Sequence, residues 1–490
     1  MLVRGFFMKK LSVILSVMLC LTFALTLTGC KKDKASTSYA IEMTLTDDMH
    51  VIGKETVNYK NEESVPLAEL RFNLFAKAYR KGSAYPPEDP LIRPNAFPNG
   101  ASYGDMSIKT VMIKGEKADF SIAGEDENVL SVKLKEELFP DEKISVTIEY
   151  EITLANIISR TGYNEKTVNL GNCYPILCVY DNGFYECEYY SFGDPFYSEC
   201  ADYLVSITLP SGYVVASSGE LKQDKKVGEK NTFVYKINSA RSFAMVVSKE
   251  FKVASEKQDK VTINYYYYND ETPSESLQTA KKALKYFSAT FGDYPYSTYS
   301  VVQTPFVQGG MEYSSLVLIS DALNPQSIHE VIVHETAHQW WQVVVGNNEI
   351  EHAFLDESLA EYSVIMFYEK HPEYGLTRKN LMDIAEQTYK IYCSVYEKLF
   401  GETNTKMVRP LKEFDGEYEY VNIAYIKGCI MFDCLRQTVG EEDFANGLKK
   451  YYKDNRFKVA TPNDLMGAFE KTGADTNGFF RSFFDGKAIL

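Results

Sequence analysis

The sequence has no excess of basic residues and little of the glycine and proline that mark low-complexity chains. It contains 52 Lys and Arg against 67 Asp and Glu, which gives a formal net charge of −15. An acidic chain of this kind lacks the basic footprint of a nucleic-acid-binding protein. Gly (29) and Pro (17) are sparse among 490 residues, and 45% of the residues are hydrophobic, which excludes intrinsic disorder as a class. We therefore expect globular domains and no nucleic-acid partner.

The N-terminus has the layout of a secretory signal. Basic residues precede an apolar run at 11–27, which ends in Leu-Thr-Gly-Cys at Cys30. These last four residues resemble a bacterial lipobox, and the resemblance implies a signal peptide over residues 1–29 and a lipid on the sulfur of Cys30. Residues 30–38 would then form a polar tether. The alternative is an ordinary signal peptide, or an uncleaved anchor, in which Cys30 is incidental.

Beyond this segment, no stretch has the ~18 uninterrupted apolar residues that a membrane span needs. We therefore expect an extracytoplasmic protein that is lipid-anchored to the bacterial cell membrane. An exported location also bears on four cysteines, Cys173, Cys178, Cys187 and Cys200, which lie within 28 residues. One or two disulfides are possible among them, although their spacing is not the C-x-x-C pattern of a zinc site. Buried free thiols remain the alternative.

The hydrophobic pattern divides the chain into two parts. From 39 to 254, apolar residues alternate with polar ones over many short segments, a pattern that predicts an antiparallel β-sandwich. From 255 to 490 the period becomes helical. The predicted helices lie near 274–291, 325–345, 357–370, 377–399, 424–439 and 441–453.

Two histidines in the second part form the pentad His-Glu-Thr-Ala-His. Asn324, followed by a proline, is a suitable helix cap, and Gly346 is a plausible end of the same helix. Residues four apart lie on one face of a helix, so His334 and His338 can share a metal ion. Glu335 lies beside them and can reach a water on that metal but not the metal itself. The sequence thus predicts a hydrolytic metal centre.

A third metal ligand is expected because catalytic zinc takes three protein ligands and keeps one position open. Eighteen residues separate His338 from Glu357, which lies on the next predicted helix. Glu361, one turn further on, can accept a hydrogen bond from a ligand histidine ring. We therefore predict one zinc ion per chain, bound by His334, His338 and Glu357.

This spacing resembles that of the gluzincin aminopeptidases of the aminopeptidase N (alanyl aminopeptidase) family. The segment 309–313, Gly-Gly-Met-Glu-Tyr, resembles the G-x-M-E-N motif of the family, and 425–428, Tyr-Ile-Lys-Gly, resembles its Y-x-K-G motif. Tyr313 stands where the family has Asn, so contacts to the substrate main chain are expected to differ. The likeness covers most of residues 40–490 and is strongest from about 285 to 440.

The resemblance implies a β-sandwich followed by a thermolysin-like, mainly α-helical (α+β) zinc metallopeptidase domain. It implies an aminopeptidase in which Glu335 is the general base and Tyr425 hydrogen-bonds the oxyanion. The predicted substrate-binding residues are Gly309, Gly310, Met311 and Glu312. Of these, Glu312 would bind the free N-terminus of the peptide.

The same resemblance leaves three points open. The family has a second amine-binding residue from the β domain that this sequence does not align, and Glu186 and Glu188 are guesses for it. Larger relatives continue into a helical domain that closes the site, so a more open cleft is expected here. The open cleft makes a zinc endopeptidase one alternative function. A catalytically silent, surface-anchored binding module is the other.

Overall fold

The computed structural model describes residues 35–470, 474–488 and 490. The predicted signal peptide, Cys30 and the start of the predicted tether lie outside these residues. Within the described part, no helix is both long and apolar enough to cross a membrane.

The first part of the chain consists of β-strands in three sheets. The strands are β1 (Ser38–Leu45), β2 (His50–Lys60), β3 (Leu67–Asn73), β4 (Asp105–Ile113), β5 (Glu116–Lys117), β6 (Phe120–Ala123), β7 (Val129–Leu138), β8 (Lys143–Thr153), β9 (Thr161–Tyr163), β10 (Val168–Gly171), β11 (Ile176–Leu177), β12 (Ala201–Pro210), β13 (Val214–Ser217), β14 (Glu220–Val227), β15 (Lys230–Ala240) and β16 (Ala244–Ser248). An eight-stranded sheet has the order β14-β15-β12-β1-β2-β8-β4-β5, and two four-stranded sheets have the orders β13-β16-β10-β9 and β11-β3-β7-β6. Pairing is antiparallel apart from β1 with β12, which are parallel.

Strand β2 shows why these segments are strands. Every second residue from Val51 to Tyr59 is buried, so one face packs into the core and the other faces solvent. Glu55 is the one charged side chain on that buried face, with 0% of its surface exposed. Neither of its carboxylate oxygens has a hydrogen-bond partner within the described residues. Burial therefore raises the pKa of Glu55 well above its ordinary value.

The second part combines one mixed sheet with a set of helices. Its elements are β17 (Lys252–Gln258), β18 (Val261–Tyr267), α1 (Pro273–Thr290), β19 (Thr298–Thr304), β20 (Gly310–Tyr313), β21 (Leu316–Ser320), α2 (Pro325–His338), β22 (Val345–Gly346), α3 (Glu349–His352), α4 (Phe354–Lys370), α5 (Arg378–Phe400), α6 (Glu417–Tyr420), a π-helix (Val421–Lys427), α7 (Gly428–Val439), α8 (Glu441–Asn455), β23 (Lys458–Val459), α9 (Pro462–Phe469) and α10 (Thr476–Phe484). The sheet order is β17-β18-β19-β21-β20. The predicted fold class, a β-rich part followed by an α+β part, is confirmed.

Helix α2, which carries the His-Glu-x-x-His pentad, ends earlier than the sequence pattern predicts. The side chain of Asn324 caps its start by accepting two backbone N–H groups, as expected. The helix ends at His338. It cannot reach residue 345, because Gln342 has a φ of 120°, which a helix cannot accommodate. The apolar residues in between, including the buried Trp340 and Trp341, pack into the core from a turn.

Arg241 joins the two parts of the chain. Its guanidinium is buried and donates to three backbone carbonyls, those of Ser198, Gln342 and Lys458. The donor–acceptor distances are 2.8 Å to Gln342 and 2.9 Å to Lys458. A Cβ added to Gly346 would lie 2.0 Å from the central carbon of this guanidinium. Gly346, predicted as a helix end, instead leaves room for Arg241.

The cysteines in the described residues are free thiols, so the structure contains buried thiols where disulfides were an open alternative. Cys173, Cys178 and Cys187 are buried, and Cys200 is partly buried. Burial raises the pKa of Cys173 to about 12. These thiols therefore stay protonated and unreactive at neutral pH.

Candidate metal centre

Three side chains point their donor atoms at one place between helices α2 and α4. The Nε2 atoms of His334 and His338 are 3.0 Å apart, and Oε2 of Glu357 lies 3.4 Å and 3.2 Å from them. Tetrahedral zinc with ligands at about 2.0–2.1 Å needs donors roughly 3.3 Å apart. Oε2 of Glu357 is buried and has no hydrogen-bond partner within the described residues. The predicted ligand set therefore fits a zinc ion in both geometry and chemistry.

The other nitrogen of each imidazole is held by an acceptor. Nδ1 of His334 lies 3.2 Å from Oε2 of Glu361, as predicted. Nδ1 of His338 lies 2.9 Å from the backbone carbonyl of Trp341. These contacts fix the tautomer, so Nε2 of each ring is free for the metal. The contact of His338 with the Trp341 carbonyl could not be predicted from the sequence, because every residue type has a backbone carbonyl.

Glu335 lies next to the ligands and has room for its carboxylate because residue 310 is glycine. Its side chain is buried, and Oε2 has no partner within the described part of the chain. A Cβ added to Gly310 would lie 2.2 Å from Oε1 of Glu335, whereas one added to Gly309 would only touch Val331 at 3.5 Å. Burial raises the pKa of Glu335 to about 7.

Strand β20 presents alternate residues of the 309–313 motif to the cavity. Gly310 and Glu312 line it, and the next residues face the other way, as a strand requires. Met311 was predicted to bind substrate, but its side chain is on the opposite face, where its sulfur accepts a hydrogen bond from Arg160 at 3.2 Å. Tyr313 is also buried on that face, so the departure from the family motif does not alter the cavity wall.

Glu312 is a buried carboxylate that faces the metal ligands. It forms a cluster with Glu335 and His338, in which the donor atoms lie within 4.8 Å of one another. Its Oε1 has no hydrogen-bond partner within the residues described. Burial, and then the nearby Asp194, raise the pKa of Glu312 well above its ordinary value. A cation bound next to Glu312 would therefore stabilise its ionised carboxylate.

The metal ligands form part of the wall of a cavity of about 700 Å³. One arginine, Arg160, lines it. The carboxylic acids that line the cavity are Asp194, Glu312, Glu330, Glu335, Glu357, Glu361 and Glu417. This excess of acids favours cationic groups, both a metal ion and an ammonium.

Asp194 is a site residue that the sequence reasoning missed. It accepts a hydrogen bond from Arg160 at 2.7 Å and lines the cavity from the N-terminal part of the chain. The two guesses from that part lie elsewhere: Glu186 pairs with Arg71, and Glu188 accepts a hydrogen bond from Tyr190. The Gly-Asp-Pro sequence at 193–195 is an ordinary loop signal, so nothing in it pointed to the site.

Tyr425 lies in the π-helix, where a plain α-helix starting near 424 was predicted. Its ring is nearly parallel to that of His334, at a centroid distance of 5.8 Å. Burial, and then Glu357, raise the pKa of Tyr425 well above its ordinary value, so its hydroxyl remains a donor. Tyr420, the last residue of α6, immediately precedes the π-helix, and its hydroxyl lies 3.5 Å from Oε1 of Glu357. π-Helices are often found at functional sites.

Residues 275–483 match the family model described as Peptidase family M1 domain. Among curated proteins, the chain is similar to Aminopeptidase 2 of Candida albicans, with 27% identity over 216 residues that cover 41% of this chain and 23% of that protein. It is also similar to Aminopeptidase N of Lactococcus lactis, with 26% identity over 234 residues that cover 43% of this chain and 26% of the relative. The matched part thus spans about a quarter of the length of these relatives.

Among solved structures, the chain is similar to an M1 zinc metallopeptidase from Deinococcus radiodurans. The TM-score is 0.67 at 17% sequence identity, over 94% of this chain and 95% of that one. A mutant of that protein was solved with a Tyr-Ser-Ala substrate and has a TM-score of 0.66. The fold is therefore shared over nearly the whole length of both chains. The family match over residues 275–483 agrees with the resemblance drawn from the motifs.

Proposed function

We propose that this chain, whose residues 275–483 belong to peptidase family M1, is a zinc-dependent aminopeptidase that removes N-terminal residues from peptides. The observation that carries this proposal is Glu312, a buried carboxylate with a free oxygen beside the metal ligands. A peptide's α-ammonium is a small cation that matches this position. The Deinococcus relative with a bound Tyr-Ser-Ala substrate supports peptides as the substrate class.

His334, His338 and Glu357 would hold the zinc ion, with Glu361 and the Trp341 carbonyl keeping the imidazoles in place. When bound, zinc polarises the scissile carbonyl and lowers the pKa of water in its open position. The remaining steps are carried out by side chains of the protein.

Glu335 acts as general base and then as general acid. Its free Oε2 takes a proton from the attacking water, and the same carboxyl delivers that proton to the leaving amine. Tyr425 donates a hydrogen bond to the oxyanion of the tetrahedral intermediate, a type of contact worth about 3 kcal/mol. Glu312 holds the α-ammonium by a charge-assisted hydrogen bond, which fixes the first peptide bond at the reacting centre.

The test compares free and N-acetylated versions of the same peptides and locates the cleaved bond by mass spectrometry. Wild type should cut the free peptides after their first residue and the acetylated ones poorly. Glu312→Ala should raise KM and lower kcat on free peptides, because a contact of about 1.5–3 kcal/mol is lost. Glu188→Ala is the matched control, since Glu188 does not line the cavity, and it should behave as wild type.

The two alternatives give different results in this assay. Internal cleavage of acetylated peptides at the rate of the free ones would replace the proposal with an endopeptidase, for which the cavity of about 700 Å³ has room. If fully zinc-loaded protein cleaved none of the peptides, the remaining function would be that of a catalytically silent binding module.

We also propose that the protein works outside the cytoplasm, anchored to the bacterial cell membrane through a lipid on Cys30. This rests on the sequence, where a basic segment and an apolar run precede Leu-Thr-Gly-Cys. Metabolic labelling with a fatty acid should label the wild-type protein in the membrane fraction and leave Cys30→Ser unlabelled. Unlabelled, wholly soluble wild-type protein would contradict the proposal.

A further inference from the structure

Helix α5 carries an apolar stripe on its solvent-facing side. Ile384, Ile391, Val395 and Leu399 are exposed by 60%, 53%, 37% and 69%. At 100° per residue, these positions fall within a sector of about 80°. Isolated exposed apolar residues are ordinary, but a row of them along one helix face, interrupted here by the half-buried Thr388, marks a binding surface.

The stripe begins inside the wall of the candidate active site. Leu381 and Ile384 line the cavity that contains the metal ligands, and the other stripe residues follow them along the helix. From Ile384 to Leu399 the helix rises about 22 Å. An extended peptide covers that length with about seven residues. The cavity and the stripe therefore form one continuous surface.

The order of side chains along α2 gives the direction in which a substrate would leave the site. Glu312 clusters with His338, at the C-terminal end of α2. His334 is one turn closer to the N-terminus, and Val331, which lines the same cavity, precedes it. A peptide held by its ammonium at Glu312 has to pass the metal ligands towards Val331. Leu381 of α5 lines the same cavity.

We propose that α5 binds the part of the substrate that follows the cleaved bond, and that the preferred substrates are extended peptides with apolar side chains after the first residue. This inference rests on the proposed function. The substrate chain is the occupant of the stripe, because the stripe is continuous with the cavity that would bind the substrate's first residues.

The experiment measures kcat/KM on three substrates with the same first residue: an aminoacyl amide, a decapeptide with apolar residues at alternate positions, and a decapeptide with serine at those positions. Wild type should favour the apolar decapeptide over the serine one by about tenfold, equivalent to about 1.4 kcal/mol. The double variant Ile391→Ser, Val395→Ser should bring this ratio close to one. Ile52→Ser is the matched control, because Ile52 is 56% exposed on the distant strand β2 and should keep the wild-type ratio.

The outcomes separate this inference from the proposed function. Equal rates on the two decapeptides with wild type, while the aminoacyl amide is cut, would overturn the assignment of α5 alone. An unchanged ratio in the double variant would do the same, and dissociation of a dimer in that variant would then assign the stripe to a second copy of the chain. No cleavage of any of the three substrates would overturn the proposed function and this inference with it.

Discussion

Replacing Gly310 with alanine should displace the carboxylate of Glu335 without touching the metal ligands. The added Cβ would lie 2.2 Å from Oε1, 2.6 Å from Cδ and 2.7 Å from Cγ of Glu335. Non-bonded heavy atoms keep a separation of about 3.5 Å. The carboxylate must therefore move by roughly 1 Å.

A displacement of this size has a large effect on a general base. A misplacement of about 1 Å costs about a hundredfold in rate, which corresponds to about 2.7 kcal/mol in the activation barrier. We expect kcat of Gly310→Ala to fall by about that factor. Bound zinc should stay at one per chain, because His334, His338 and Glu357 keep their donor atoms.

Gly309→Ala is the matched variant for this measurement. Its Cβ would meet only a methyl group of Val331, at the ordinary contact distance of 3.5 Å, and would leave Glu335 in place. Since Gly309 also lines the cavity, its substitution should act mainly on KM and lower kcat far less. Steady-state kinetics on an aminoacyl amide, elemental analysis and thermal unfolding of both variants complete the comparison. Wild-type turnover in Gly310→Ala, or equal losses in both variants, would refute the reasoning.

Three further predictions concern the ligands, the base and the buried acid of the β-rich part. His338→Ala and Glu357→Ala should lose bound zinc; full zinc in Glu357→Ala by elemental analysis would remove that residue from the ligand set. Glu335→Gln should keep zinc and lose about 10²–10⁴-fold in turnover, and near wild-type turnover would refute its role. Burial raises the pKa of Glu55 above its ordinary 4.5, so the folded state keeps a proton that the unfolded state releases. Relative to Glu55→Gln, wild-type stability should therefore fall by up to about 1.4 kcal/mol per pH unit above pH 4.5, and a constant difference in Tm between pH 5 and pH 8 would contradict this.

The juxtaposition of the three candidate metal ligands was predictable because helix geometry relates their positions directly to their spacing. Residues four apart share a helix face, so His334 and His338 could be assigned from the pentad alone. Glu357 required the next helix to pack antiparallel against α2, and the family spacing supplied that information. Glu361 followed from the same helix, one turn on. The structure brings these four side chains together, and their roles stay predictions.

The rest of the site depends on contacts that have no local sequence pattern. Asp194 and Arg160 reach the cavity from loops whose positions are set by the three sheets of the N-terminal part. The alternation along β20 turned Met311 away from the cavity, although the motif suggested a role for it. The π-helix that positions Tyr425 has the same composition as an ordinary α-helix. Hydrophobic periodicity therefore predicted the elements but not their ends or their long-range contacts.

Arg241 has a consequence for how this chain can evolve. Its guanidinium comes from the β-rich part, and two of its three acceptors, the carbonyls of Gln342 and Lys458, come from the other part. Recombination that joined the second part to a foreign N-terminal partner would remove the donor of both carbonyls, and the buried one, that of Gln342, would cost about 1–3 kcal/mol when left unsatisfied. In the first part on its own, the guanidinium of Arg241 would keep only the carbonyl of Ser198 as an acceptor. Exchanging either part alone should therefore lower the stability of the recombined chain.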